Sequence, residues 1–361
     1  MTIPTDTYFG QQWHLRNTAS GEYDLNVVKV WDDYTGKGIK VFVFDNGFDY
    51  SNPDLDDHYD QANDHDYGNN DDDAAPFYTD DDHGTAVMGI IGAARNGSGV
   101  VGIAYNSSLT GFRVDFDVTA DAWRAEMVSM LADAVTLGGD VVNMSFGGAS
   151  SYDKYDGASN VALIQSAIAD AVADGRDGLG LILVKSAGNS REDPYDDNNG
   201  MPIDVNHNTS DSDSRQIIVA ATNRDGSVTQ YSSYGAPVLI SAFGSPYAGE
   251  IVTTDRVGSS GYNTDPSDTG VCFDFNGTSA AAPMIAGVVA LMLDANENLG
   301  WRDVQTILAY TGRHVGSNVD GSTMSGYELN TWSFNAGTNW NGGGLHFSQD
   351  YGYGLVDTLA A

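Results

Sequence analysis

Residues 38–45, GIKVFVFD, form an apolar run rich in β-branched side chains and closed by an aspartate, the pattern of a buried parallel strand. The pattern disappears over 54–82, where most positions are acidic, amide or turn-forming, so loop is predicted. Small and apolar residues return at 83–94 as a buried helix. Over 120–138 the apolar positions recur with helical period, placing Trp123, Met127, Met130, Leu131 and Ala134 on one face, and 160–175 is a second amphipathic helix. Short strands are predicted at 140–145, 180–189, 215–222 and 237–244. Residues 279–296 are apolar around most of the helical circumference and predict a central helix, and 301–312 predict another. Residues 313–350 are polar, Gly-rich and aromatic, the composition of long surface loops. Strands alternating with helices predict an α/β fold on a parallel sheet, and without repeat or linker the whole of 1–361 reads as one domain.

Composition narrows the function classes. The 361 residues are 41% hydrophobic, enough for a substantial core, and include 43 glycines, which implies many tight turns. No run reaches the roughly 18 consecutive apolar residues of a spanning helix, and no signal peptide is visible. Sixteen basic residues stand against 50 acidic ones, a net charge of −34. Such a chain repels phosphates and anionic headgroups, so neither nucleic acid nor a membrane is an expected partner. Repulsion of this size opposes compactness, and bound cations would offset it; a solvated acidic surface is the plainer alternative. Cys272 is the single cysteine and forms no internal disulfide. It reads as a small buried hydrophobe, because nothing nearby supplies a base for it.

FNGTSAAAPMIAG, at 275–287, sets one hydroxyl among small apolar residues. Thr278 or Ser279 suits a helix N-cap with Pro283 in the first turn, and Ser279 equally suits a nucleophile held at a helix N-terminus. Asp45 ends a predicted strand and His83 starts a predicted helix. Singly, the first is a turn former and the second a structural histidine. Together with Ser279, at element ends of a parallel sheet, they suit acyl transfer: serine attacks, histidine takes its proton, and the carboxylate holds the histidine tautomer. The order Asp…His…Ser is that of subtilisins, and the G-x-S-x-G elbow of an α/β-hydrolase esterase is absent at Ser279.

FDNG, HGTAVMGIIGA and NGTSAAAPMIAGVVAL resemble the three catalytic motifs of the subtilisin-like serine proteases, and SAGNS (186–190) resembles the segment whose asparagine completes their oxyanion hole. From about residue 4 to 357, stretches such as YDLNVVKVWDDYTGKGI, LGWRDVQTIL and YGYGLVD are similar to the kexin/furin branch, the proprotein convertases, without the β-sandwich that follows their catalytic domain. The resemblance implies a subtilisin-like fold, a largely parallel sheet with helices on both faces. It implies Ser279 as nucleophile, His83 as general base and then acid, Asp45 as its orienting carboxylate, and Asn189 with the Ser279 N–H as oxyanion donors. Substrate would be an extended peptide or unfolded protein lying antiparallel along Ser145, Phe146, Gly147 and Gly148. Family habit further implies a secreted monomer, with an inhibitor or chaperone as protein partner. The rival from another class is a non-catalytic peptide-binding homologue, against which the presence of all four residues argues.

Specificity and metal sites also follow from the resemblance. Convertases cleave after basic residues held by acidic pockets. Here the doubled aspartate of the first motif is Asp45-Asn46, while Asp80 matches the acidic position three residues before the histidine. Asp211 or Asp213 would supply the S1 carboxylate, and a basic P1 residue is expected; a subtilisin-type apolar P1 is the alternative. Asp6, Asp54 and Asn96 match one calcium site, completed by carbonyls of the loop at 94–99, and Asp66, Asp71 and Asp73 match a second in the acidic loop. A third family site has Ser150 and Ser233 in place of its carboxylates.

Overall fold

The structure is a computed structural model describing residues 3–147, 158–191, 204–207, 212–244, 250–265, 267, 269–318, 326–335 and 344–361. Gly148, Ser150 and Asp211 lie outside the described residues.

Within the strand β1 (Lys40–Asp45) side chains alternate between two faces. Val41 and Val43 join one core and Phe42 and Phe44 another, so both faces of the sheet are covered. Six further strands join it in one parallel sheet: β2 (His65–Asp66), β3 (Ser108–Arg113), β4 (Val141–Met144), β5 (Ile182–Ser186), β6 (Gln216–Thr222) and β7 (Val238–Phe243). Their order is β2-β3-β1-β4-β5-β6-β7. The chain builds outward from β1 in one direction and then the other, so the switch of direction falls between β1 and β4, where α/β sheets open a crevice.

On one face lie the helices α1 (His83–Gly92) and α4 (Thr278–Ala295); α2 (Ala120–Thr136) and α3 (Ala158–Asp174) cover the other. The amphipathic face read in the sequence holds, with Met127, Met130, Leu131 and Ala134 buried. Helix α4 has the length and mean hydropathy, 1.6, of a membrane-crossing helix, but 83% of it is buried inside the fold. The antiparallel pair β8 (Ile251–Thr254) and β9 (Val271–Phe275) crosses α1 at Gly89, where a Cβ would come 2.0 Å from Thr254 Oγ1. Thr253 and Thr254 donate their hydroxyls to the Ala86 and Thr85 carbonyls, at 2.7 and 2.6 Å. This crossing carries the chain from β9 into α4.

Two expectations are corrected. The acidic stretch 54–82 is not wholly loop, because β2 adds an edge strand inside it. Nor is 313–350 wholly surface: Val315 and Trp332 are buried in the main core, and β10 (Ser333–Phe334) pairs with β11 (His346–Phe347).

Candidate active site

Asp45 ends β1 fully buried, and His83 opens α1 beside it. Gly84 permits this approach: a Cβ there would lie 2.5 Å from the Gly47 carbonyl and 2.9 Å from Asp45 Cβ. The Asn46 side-chain oxygen accepts from the Gly84 amide at 2.9 Å, satisfying an N–H of the first turn. His83 Nδ1 lies 2.8 and 3.0 Å from the two Asp45 carboxylate oxygens. A carboxylate only accepts, so the proton sits on Nδ1 and Nε2 is left as a base. Burial alone would lower the imidazole pKa, but the Asp45 charge and hydrogen bond outweigh it, so the net shift is upward. Asp82, next in chain, is pushed up to about 6 by burial and by Asp255.

Ser279 is the second residue of α4, and Gly277 is the N-cap, so Ser279 is not a capping residue. Its amide lies in the first turn, where no helical carbonyl precedes it. Its hydroxyl donates to the Ser145 carbonyl at 3.0 Å rather than to His83. Pro283 is the sixth residue of α4, not part of its first turn. Lacking an N–H, it leaves the Ser279 carbonyl without the usual i→i+4 bond, and the Ser145 hydroxyl donates to that carbonyl at 3.2 Å. Ser145, just beyond β4, is thus bonded to Ser279 through both side chains.

Asn189 stands exposed in the turn after β5. Its amide oxygen accepts from the Thr278 N–H and hydroxyl, both at 2.9 Å. Gly277, at φ 90°, places the site of an added Cβ 3.3 Å from Asn189 Nδ2 and 3.5 Å from the Ser279 amide. The Asn189 NH₂ group and the Ser279 N–H therefore flank one small space. Asp45, His83, Ser279, Asn189 and Ser145 all sit at ends of β1, α1, α4, β5 and β4, as the sequence suggests.

Sequence reasoning missed two supporting residues. Phe275 packs edge-on to the His83 ring, centroids 5.4 Å apart. The Tyr231 hydroxyl accepts from the Gly277 amide at 3.0 Å and donates to the Gly244 carbonyl. Phe275 adjoins the serine motif and was visible as an apolar neighbour; nothing local to Tyr231 signals its role.

Other predicted residues divide. Phe146 packs against Phe116 and Trp123, and its carbonyl receives the buried Lys185 ammonium; Gly147 is exposed. Asp80 is exposed, its carbonyl accepting from Asn46 Nδ2 at 3.3 Å. Asp213 does not offer a free carboxylate: Arg215 engages both oxygens, at 2.8 and 2.5 Å. Ser233 braces the Asn189 turn, donating its amide to Gly188 at 2.8 Å and accepting from the Ser190 amide at 3.2 Å.

Asp6, Asp54 and Asn96 come together. Asp6 Oδ1 accepts from the Asn96 and Gly97 amides, and Asn96 Nδ2 donates to Asp54 Oδ1 at 3.1 Å. Both carboxylates are buried; Asp54 is pushed up to about 6, mainly by burial, and Asp6 Oδ2 has no hydrogen-bond partner among the described residues. Asp66, Asp71 and Asp73 do not form such a set. Arg113 Nη1 holds both Asp66 oxygens, at 3.0 and 2.9 Å, and Asp73 accepts from the Tyr50 hydroxyl at 2.9 Å. Among the described residues no three His, Cys, Asp or Glu side chains are grouped to hold a metal ion. Cys272 is buried, its thiol pKa pushed up mainly by burial, as expected of an inert cysteine.

The chain is 34% identical to Furin-1 of Xenopus laevis over 369 residues, spanning 99% of this chain and 41% of that protein. It is 33% identical to human neuroendocrine convertase 2, spanning 98% of this chain and 52% of the relative. The chain thus spans about half the length of the curated relatives it matches. The serine protease of Aeromonas sobria, solved in complex with a chaperone, superposes with a TM-score of 0.84 at 25% identity, over 99% of this chain and 66% of that one. A Pseudoalteromonas arctica protease shares the fold, with a TM-score of 0.70 at 23% identity over 99% of this chain and 98% of that one. Residues 36–354 match the family model of the subtilases, and the chain belongs to that family.

Proposed function

We propose that the chain is a serine endopeptidase acting through Asp45, His83 and Ser279. The observation that carries this reading is the buried Asp45 carboxylate on His83 Nδ1, which leaves Nε2 basic on a ring that packs against Phe275, four residues ahead of Ser279. Ser279 Oγ turns from the Ser145 carbonyl to give its proton to His83 and attacks the scissile carbonyl. The oxyanion is bound by Asn189 Nδ2 and the Ser279 N–H, supported by the N-terminal dipole of α4. His83 then protonates the leaving amine, and water repeats the sequence on the acyl-enzyme. Extended peptide would add along Ser145–Gly147, so unfolded protein is favoured over folded. The chaperone complex of the Aeromonas sobria protease supports a chaperone as partner, while a secreted setting and an inhibitor partner rest on the family resemblance alone.

Calcium is proposed at the Asp6–Asp54–Asn96 site, where two buried carboxylates and the unpartnered Asp6 Oδ2 fit a hard cation taking oxygen ligands. Bound there, the ion would supply structural charge neutralisation, not chemistry. For specificity, the convertase relatives and the net charge of −34 favour basic P1 residues. Engagement of Asp213 by Arg215 favours the second reading, an apolar P1. Incubation with an unfolded protein and mapping of the cut sites tests both levels. Internal cuts support an endopeptidase; cuts clustered after Lys and Arg support the basic P1, and cuts after Phe or Leu contradict it.

A further inference from the structure

Arg191 follows Asn189 by two residues and is 1% exposed; its partner Asp350 is fully buried, with Nη1 2.7 Å from Oδ1. Burying such a pair costs desolvation that an apolar pair of similar volume would avoid, so stability alone explains it poorly. Arg191 Nη2 is moreover buried without a partner among the described residues. The contacts of this guanidinium instead describe a clamp. Nε donates to the Ser232 carbonyl at 2.6 Å and Nη1 to the Tyr327 carbonyl at 2.8 Å, and the plane lies 5.3 Å from the Tyr234 ring centroid. The Arg191 amide donates to the Tyr231 carbonyl at 3.0 Å. Asp350 gathers the far side, accepting from the Leu329 and Asn330 amides at 2.9 and 2.8 Å.

The segment 231–233 held in this way also touches both sides of the oxyanion space. Ser233 bonds Gly188 and Ser190, on either side of Asn189, and the Tyr231 hydroxyl bonds the Gly277 amide ahead of Ser279. Asn189 itself is exposed and, among the described residues, its side chain is bonded only by Thr278. Its position therefore depends on the turn beneath it.

We infer that the Arg191–Asp350 pair is a positioning device for the proposed reaction: it locks the 187–191 turn against 231–233 so that Asn189 Nδ2 meets the developing oxyanion. This rests on the reading of Asn189 as oxyanion donor. Catalytic groups displaced by about 1 Å lose on the order of a hundredfold in rate, so loosening the turn should act on kcat. Arg191 does not touch substrate and is not a catalytic residue.

The test is a double-mutant cycle on peptide hydrolysis with Arg191→Met, Asn189→Ala and the pair, measuring kcat and KM separately. Arg191→Met is expected to lower kcat about ten- to a hundredfold with KM within about twofold. In the Asn189→Ala background the same change is expected to alter kcat by less than about twofold, because no donor remains to position. A kcat loss that persists undiminished in that background, or a change confined to KM, overturns the tether alone. Wild-type kcat in Asn189→Ala overturns the oxyanion reading and the tether with it. Asp350→Asn, which keeps the volume and an acceptor for Leu329 and Asn330, stands in if Arg191→Met does not fold, and the same pattern is expected.

Discussion

Asn189 turns its amide oxygen to Thr278, accepting from both its N–H and its hydroxyl at 2.9 Å. Those two bonds fix which way the amide faces: the NH₂ group is left toward Gly277 and the start of α4. A donor held in this orientation before substrate arrives needs no reorganisation as charge develops. Asn189→Ala is therefore expected to lower kcat by roughly 10²–10³ while KM changes little, a magnitude known for the equivalent donor in subtilisin. Steady-state kinetics on a peptide substrate measures it, and a near wild-type kcat would remove Asn189 from the oxyanion role.

Gly277 sits at φ 90°, and its Cβ site is 3.3 Å from Asn189 Nδ2. Gly277→Ala combines an unfavourable left-handed backbone with intrusion on the oxyanion space. The expected cost is about 1–2 kcal/mol of stability by urea unfolding, together with at least a tenfold fall in kcat. Unchanged kcat with lowered stability would show that the space does not face the reacting carbonyl.

The pH dependence follows from His83. Its neutral form is the base, so kcat/KM rises with pH as the imidazolium loses its proton. Burial lowers this pKa and Asp45 raises it, the latter winning, so the acid limb is expected above the ordinary value of 6.5. Asp45→Asn removes the main opposition to burial and leaves only the Asp82 charge against it: the limb should move to lower pH, with a rate loss of roughly 10⁴ as the tautomer is no longer held. A limb that does not move would detach Asp45 from His83 function.

Chelation tests the Asp6–Asp54–Asn96 site. A cation whose Kd lies well below its ambient concentration adds about 3 kcal/mol, so EGTA should lower Tm by about 4 °C. In Asp6→Asn the difference between calcium and EGTA should shrink. Equal melting with and without chelator would contradict calcium at this site.

The parts legible in the sequence are those with uninterrupted apolar runs. Strand β1 and helices α1 and α4 announce themselves, and their ends carry Asp45, His83 and Ser279. Strand β3 is not legible because Ser108, Thr110, Gly111 and Arg113 dilute its apolar content; buried Arg113 pairs with Asp66 of the edge strand β2 and with Asp81 of the turn ahead of α1, both distant in sequence. The region after Arg313 looked like surface loop, yet Trp332 stacks on Tyr351 and both are buried, an arrangement that no local period encodes. In the site, Asn189 was legible from its motif. The bond between Ser145 and the carbonyl that Pro283 leaves open and the clamp at Arg191 are tertiary facts without a local signature, whereas the Arg215 pairing that occupies Asp213 is local, two residues apart.

The central claim is that Ser279 is an activated nucleophile. The measurement that tests it most directly is mapping, by mass spectrometry, the residue modified by a fluorophosphonate probe in the wild-type chain, in His83→Ala and in Ser279→Ala. The account predicts one adduct, on Ser279, formed at least a hundredfold more slowly in His83→Ala and not at all in Ser279→Ala. An adduct on another residue, or labelling that survives Ser279→Ala, would contradict it.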